Sequence, residues 1–363
     1  MVGKHLFRPL VNKGIIAVDL TYLYRTEEIV LFLSDLHILV PEYGSKEVLK
    51  LGNIPIPVPQ YKQLLVQVHA AALNPIDSKR RLGPIFPTDF PAVPGCDMAG
   101  VVIGQGIDVT QVDIGNEVFG NIQDFNSIEK LKQVGTLAQF IVVEERLVAR
   151  KPESLSFEEA ASLPLAVQTA VEGFRTVNFM KGQTIFVVGG AGGVGTLVIQ
   201  LAKYVYGASY VVATTSTPKV KFVKQLGADK VVDYTKIKYE DIEEKFDFLY
   251  DTIGDCKKYV VVAKDNAAIV DITWPPSHPR AVYSSLTVSR KSLEKLIPYL
   301  KSRELKPMID PTGPYPFDNV IEAFQYVETG RARGKVVVSC FPLQDPHSNI
   351  LSGVNTTIGV NGF

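Results

Sequence analysis

The stretch FVVGGAGGVGTLVIQLAK, Phe186 to Lys203, is a short apolar run, a burst of glycines and then an apolar-periodic segment. The first part suits a buried strand and the last a helix, so the glycines fall in the turn between them. Gly190-x-Gly192-x-x-Gly195 has the spacing of a dinucleotide-binding loop, in the context such a loop requires. In that pattern the first glycine permits the tight turn and the second lets backbone approach a pyrophosphate. The third lets helix and strand pack closely. The phosphates would face N–H groups at the helix N-terminus. A purely structural glycine turn is the competing explanation, and the strand–turn–helix setting argues against it.

An NAD site places an acid about 20 residues beyond the glycines, at the end of the second strand, to hold the ribose 2′-hydroxyl. Here that strand ends ATTSTPK, with Thr214, Thr215, Ser216, Thr217, Pro218 and Lys219 and no acid. Hydroxyls beside a cation suit a 2′-phosphate. Capping of the next helix by Ser216 or Thr217, with Lys219 solvated, would explain the hydroxyls. It would not explain the missing acid. NADPH is the expected cofactor.

Composition narrows the partners. At 363 residues the chain suits two domains, and 46% hydrophobic with 21% charged residues is an ordinary globular balance. Lys+Arg and Asp+Glu are 38 each, so no basic field exists to hold nucleic acid. Cys96, Cys256 and Cys340 form no framework, which fits a reducing compartment. They and the five scattered histidines show no metal spacing, and no bound metal is expected. No apolar run reaches the roughly 18 residues of a membrane span. Residues 1–36 are broken by Asp19, Glu27, Glu28 and Asp35 and match no targeting class well. The cytoplasm is the expected location, with the chloroplast as the alternative, and the expected assembly is a monomer or homodimer.

Along the chain the texture changes once. From about residue 37, β-branched runs (LLVQVHAAALN, DMAGVVIGQG, NEVFGNI) alternate with Pro- and Gly-rich stretches (NIPIPVPQ, RLGPIFPTDFPAVPGC), the pattern of a mostly antiparallel β domain. From about 155, strands alternate with helices, which indicates a parallel doubly wound sheet. The switch opens at Ser156, with Glu159 in capping-box position. The reading is an α/β protein: an extension at 1–36, a β substrate domain at 37–154 and a Rossmann dinucleotide domain at 155–289. A return to the substrate domain at 290–342 and an irregular tail at 343–363 complete it.

The chain resembles the zinc-free quinone oxidoreductase branch of the medium-chain dehydrogenase/reductases, and within it the plant enone reductases of the 2-methylene-furan-3-one and alkenal/one type. The resemblance runs from EYGSKEVLKLG at Glu42 to GKVVVSCFP at Pro342. It rests on AAALNPIDSKRRLG, PAVPGCDMAGVV, GTLAQFIVVEE, FEEAASLPLAVQTAVEG, GGAGGVGTLVIQLAKYVYGAS, LGADKVVDYT, KFDFLYDTIG, LKPMIDPTGPYPF and RARGKVVV. It implies a GroES-like β domain joined to a Rossmann domain. It places NADPH contacts on Gly193 and Val194 at the loop, and on Ser216, Thr217, Lys219 and Tyr234 around the 2′-phosphate. Further contacts fall on Ile272, on Tyr283, Ser284 and Ser285, and on Gly330 and Arg331. The YSS and GRAR stretches differ in detail from the usual family sequence. Where the zinc-dependent relatives keep metal-binding His and Cys residues, this chain reads NPIDSK and PGCDMAG, and Cys96 is read as a small buried residue.

The resemblance also implies chemistry: hydride from NADPH to the β-carbon of an α,β-unsaturated ketone or aldehyde. Negative charge then develops on the carbonyl oxygen and calls for a donor. Lys79 occupies the family position that touches cofactor and substrate. A solvated lysine beside Arg80 and Arg81 is the plainer alternative. Asn74 is expected to orient nicotinamide or substrate through its amide, or else to form an Asx turn before Pro75. The α-proton is expected from water. A quinone reductase of the same fold and a non-enzymatic NADPH-binding protein are the competing functions.

Overall fold

The computed structural model of the chain describes residues 34–86, 88–124 and 134–340, with 11–12 and 15–16 as a two-residue ribbon. Most of the expected N-terminal extension and the whole C-terminal tail lie outside the described residues. None of the described helices is long and apolar enough to cross a membrane.

The first half is antiparallel. Strands β1 (Ser34–Leu39) and β2 (Lys50–Pro55) pair in register from Ser34↔Pro55 to Leu39↔Lys50. The turn-rich reading of NIPIPVPQ therefore needs correction at its start, because Asn53, Ile54 and Pro55 continue a strand. The long β3 (Gln63–Leu73) runs into helix α1 (Pro75–Leu82), followed by β4 (Asp97–Gln105), β5 (Glu117–Asn121), β6 (Phe140–Glu144) and β7 (Val148–Arg150).

Ser156 then starts α2 (Phe157–Ala161) as its sequence suggests. Its hydroxyl accepts from the Glu159 N–H at 3.1 Å, and Glu159 accepts from the Ser156 N–H at 3.0 Å. The apolar run that follows is not one helix. It restarts as α3 (Pro164–Thr176), with Pro164 at a first-turn position where its missing N–H costs nothing.

The parallel half comprises β8 (Thr184–Val188), α4 (Gly193–Gln200), β9 (Tyr210–Thr215), α5 (Val220–Gln225) and β10 (Lys230–Asp233). It continues with β11 (Phe246–Asp251), α6 (Cys256–Tyr259), β12 (Ala263–Asp271) and β13 (Val282–Tyr283). Its sheet order is β10-β9-β8-β11-β12-β13, parallel throughout. The order reverses between β8 and β11, and such a reversal opens a crevice beyond the strands' carboxyl ends.

Alternation sorts the strands' side chains. Ile185 and Val187 face a core shared with α3 and α4, while Phe186 and Val188 face a second core with Val212, Phe246 and Leu249.

The chain then returns through α7 (Arg290–Glu294) and α8 (Ile297–Lys301), which are divided ahead of Pro298. After β14 (Tyr315–Pro316) and α9 (Val320–Glu328), β15 (Val336–Ser339) pairs antiparallel with β3. The second sheet thus runs β14-β15-β3-β4-β5-β7, with β6 also on β3. One core spans the two halves: Ala70, Ala72, Ala99 and Phe119 of the antiparallel sheet pack with Val167, Phe174 and Tyr250.

Phe174 is 1% exposed. It lies 4.3 Å centroid to centroid from Tyr206, 5.3 Å from Phe179 and 5.7 Å from Phe248. Phe174→Ala should therefore cost about 3–5 kcal/mol in chemical denaturation, through lost burial and an unfilled cavity. A cost under about 1 kcal/mol would mean that this cluster does not hold α3 to the sheet.

Candidate cofactor and substrate cleft

Glycine packing shapes the loop after β8. The left-handed residue of the turn is Gly189, at φ +76°, one position before the fingerprint's first glycine. This corrects the role expected of Gly190. A Cβ there would lie 2.9 Å from the Ala213 Cβ and 3.0 Å from the Ile199 Cδ1, so Gly190 is required by packing. Gly195 behaves as its position predicts, since its Cβ would fall 2.2 Å from the Gly189 carbonyl oxygen. Gly192 is different: a Cβ there would meet nothing nearer than 3.5 Å. It caps α4 in extended conformation, and with Gly193 and Val194 it lines a cleft of about 1600 Å³ between the two sheets. Gly192 also bridges to Gly334, whose N–H donates to the Ala191 carbonyl at 2.9 Å.

At one end of the cleft lie Ser216, Lys219, Tyr234 and Gly330. The Lys219 ammonium donates to the carbonyl oxygens of Arg331 and Ala332 at 2.6 and 3.2 Å. Burial, and then the nearby charges of Arg333 and Arg331, push Lys219 below the usual lysine range, with Asp310 pulling the other way. Cations crowded in this way favour an anion of high charge.

Thr217, Pro218 and Arg331 do not line the cleft. The Thr217 hydroxyl donates to Asp233 at 2.5 Å, so it is turned from the 2′-phosphate position expected of it. Arg331 supports Lys219 through its backbone. Asp233, from the neighbouring strand β10, is the acid of this region. Its carboxyl is lowered first by Thr217 and then by Thr235.

At the other end lie Lys79, Asn74, Ile272, Tyr283, Ser284 and Ser285, with Ile85, Phe86, Trp274 and Leu286 as apolar walls. The basic trio of α1 has separated. Arg81 is buried, paired with Glu328, bonded to the Gly44 carbonyl at 2.5 Å and set over the Phe324 ring at 5.8 Å. Lys79 is exposed to the cleft, and among the described residues no ion pair or hydrogen bond engages its ammonium.

Asn74 is 2% exposed, and its amide is committed within the protein. Its Nδ2 donates to Asp97 at 2.9 Å, and its Oδ1 accepts from Lys335. Asn74 lines the cleft, with its amide oriented by Asp97 and Lys335. The Asn74 N–H donates to Asp77 at 2.8 Å, which starts α1. Asp77 also accepts from the Cys96 thiol at 3.1 Å. Burial raises Asp77 to about 6 and pushes Cys96 well above the usual thiol range. Sequence reasoning passed over Lys335 and Asp97, although both stand inside quoted motifs, RARGKVVV and PGCDMAG.

Two family models match: an alcohol dehydrogenase GroES-like domain over residues 60–153, and a zinc-binding dehydrogenase over 226–338. The chain is 50% identical over 304 residues to 2-methylene-furan-3-one reductase of Solanum lycopersicum, covering 83% of this chain and 78% of that one. The chain is a medium-chain dehydrogenase/reductase. It is also 48% identical over 307 residues to NADPH-dependent alkenal/one oxidoreductase, chloroplastic, of Arabidopsis thaliana, with the same coverage. Among solved structures, the quinone oxidoreductase from Coxiella burnetii matches with TM-score 0.75 and 29% identity. That match covers 85% of this chain and 99% of that one.

A pyridine dinucleotide fits the cleft in both shape and charge. The open face of Gly192 lies at the N-terminus of α4, and the cations gather near Lys219. The two loop glycines should respond differently to alanine. Gly192→Ala should fold normally yet bind a pyridine dinucleotide at least about tenfold more weakly if its open face receives the pyrophosphate. Gly195→Ala should lose about 1–3 kcal/mol of stability, because its methyl group meets backbone. Denaturation and calorimetric titration of both variants check this, and matching profiles would refute it.

Proposed function

We propose that this chain reduces the carbon–carbon double bond of α,β-unsaturated ketones and aldehydes, with NADPH as reductant and no metal. The observation that carries this reading is Lys79, an ammonium with no described protein partner in a cleft whose lining also includes the apolar side chains of Ile85, Phe86, Trp274 and Leu286. The two relatives near 50% identity, named for methylene-furanone and alkenal/one substrates, support it.

NADPH, when bound, supplies the hydride that goes to the β-carbon, leaving an enolate that water protonates at the α-carbon. The residues do the rest. Gly193 and Val194, at the N-terminus of α4, would offer backbone N–H groups to the pyrophosphate, while the Gly192 N–H is held by the Gly189 carbonyl at 3.1 Å. Ser216, Lys219 and Tyr234 would hold the 2′-phosphate. Ile272, Tyr283, Ser284 and Ser285 would wall the nicotinamide end, beside the apolar side chains of Ile85, Phe86, Trp274 and Leu286. Lys79 faces the carbonyl oxygen and stabilises charge that appears only during hydride transfer.

Quinone reduction is the second reading, favoured by the solved relative titled for it. Steady-state rates on methyl vinyl ketone and on 9,10-phenanthrenequinone separate the two. Enone turnover is expected to dominate, and turnover of the quinone alone would reverse the assignment.

Lys219→Ala should raise the KM for NADPH about ten- to a hundredfold and leave NADH nearly unchanged, since NADPH alone carries the extra phosphate. Equal losses for the two cofactors would remove Lys219 from the 2′-phosphate site. Lys79→Met should lower kcat by about 10²–10³ with a smaller effect on KM. Lys79→Arg should rescue in part, because a planar fork replaces a compact cation. A near-normal kcat for Lys79→Met on a small enone would exclude its role.

A further inference from the structure

Lys335 is a second lysine of the cleft, and its surroundings are unlike those of Lys79. It precedes β15, and its side chain is only 6% exposed. A buried ammonium requires partners. They are Asp97, fully buried with Oδ2 at 3.3 Å, and the Asn74 Oδ1. Asp97 is itself anchored, taking the Asn74 Nδ2–H at 2.9 Å on one oxygen and the Leu165 N–H at 2.8 Å on the other. The three residues stand at neighbouring ends of β15, β3 and β4 and receive one N–H from α3.

An ammonium has three N–H groups. Two are used, and among the described residues the third meets no protein acceptor, while Lys335 lines the cleft. Apolar residues of similar volume would hold the sheet ends together as well as a buried ion pair does. Stability alone is therefore a poor reason for this arrangement.

Position supplies a better one. The Lys335 stem passes over the dinucleotide loop, where a Cβ on Gly193 would lie 2.7 Å from its Cδ. Its head reaches Asn74, the residue that starts the helix carrying Lys79. The ammonium thus stands between the phosphate loop and the hydride-accepting end. With the pyrophosphate on the loop and the substrate at Lys79, the nicotinamide riboside crosses this span.

We propose that Lys335 is a cofactor-contacting residue that gives its remaining N–H to the nicotinamide-riboside half of the dinucleotide. Asn74 and Asp97 are positioning residues that aim it. The proposal rests on the NADPH reading of the cleft and deepens it. It replaces the Asn74 amide with a cation as the polar group that the protein offers there. The shared Asp97 carboxylate fixes the direction of that cation before any cofactor arrives.

Two ligands separate this from a structural role: NADPH, and adenosine 2′,5′-bisphosphate, which lacks the nicotinamide half. In calorimetric titrations Lys335→Met should weaken NADPH about tenfold or more and leave the bisphosphate within about twofold. The retained fragment affinity doubles as evidence of an intact fold. Because Lys335→Met strands the Asp97 carboxylate, the double variant Lys335→Met, Asp97→Asn provides a charge-neutral version with the same expected split. Unchanged NADPH affinity in either variant, or equal losses for both ligands in the double variant, overturns the proposal. Wild-type protein that binds neither ligand overturns the NADPH reading itself, an outcome distinct from failure at Lys335.

Discussion

Backbones from two different sheets meet at Gly192 and Gly334, and the cleft takes its form from that contact. Gly192 itself has room for a methyl group, but Gly334 and the neighbouring Gly193 do not. Gly334 sits at φ +88°, where a Cβ would fall 2.1 Å from the Met308 carbonyl oxygen, and Gly193 lies against the stem of Lys335. The Gly334 N–H is satisfied by Ala191 across the seam. A helix N-terminus that needs an anion is thereby held against the end of a strand that delivers a cation.

The cleft is polarised along its length. At the Lys219 end, burial raises the cost of the ammonium's charge and Arg333 and Arg331 crowd it, so a ligand of high negative charge would relieve that cost. At the other end the walls are apolar. The charges there are arranged oppositely: Lys335 is neutralised by Asp97, while Lys79 is left exposed. One cation has its direction fixed by a network, and the other can follow charge as it develops. Two lysines with different freedom suit the two tasks proposed for them, holding a cofactor and answering a transition state.

The polar layer beneath this end is unusual in its acidity. Asp77 and Asp97 are both buried, and burial raises both carboxyls. The Cys96 thiol, itself held protonated by burial and by these neighbours, donates to Asp77 and does not compete for a ligand.

The local parts of this structure could be read in the chain. Strand, glycine turn and helix at 184–200, the capping box of Ser156 and Glu159, and the alternation of parallel strands all depend on neighbours within a few residues. Pro164 and Pro298 divide helices for an equally local reason. Tertiary structure decided which polar groups remain available. Thr217 looked like a phosphate ligand until Asp233 of the next strand claimed its hydroxyl, and Arg81 looked solvated until α9 supplied Glu328. The Asn74 amide is oriented by Lys335, a residue 261 positions away in sequence. Periodicity and turn chemistry specify which elements form. A hydrogen-bond donor has only as many partners as its geometry allows, and only the folded arrangement of distant strands determines which partners reach it first.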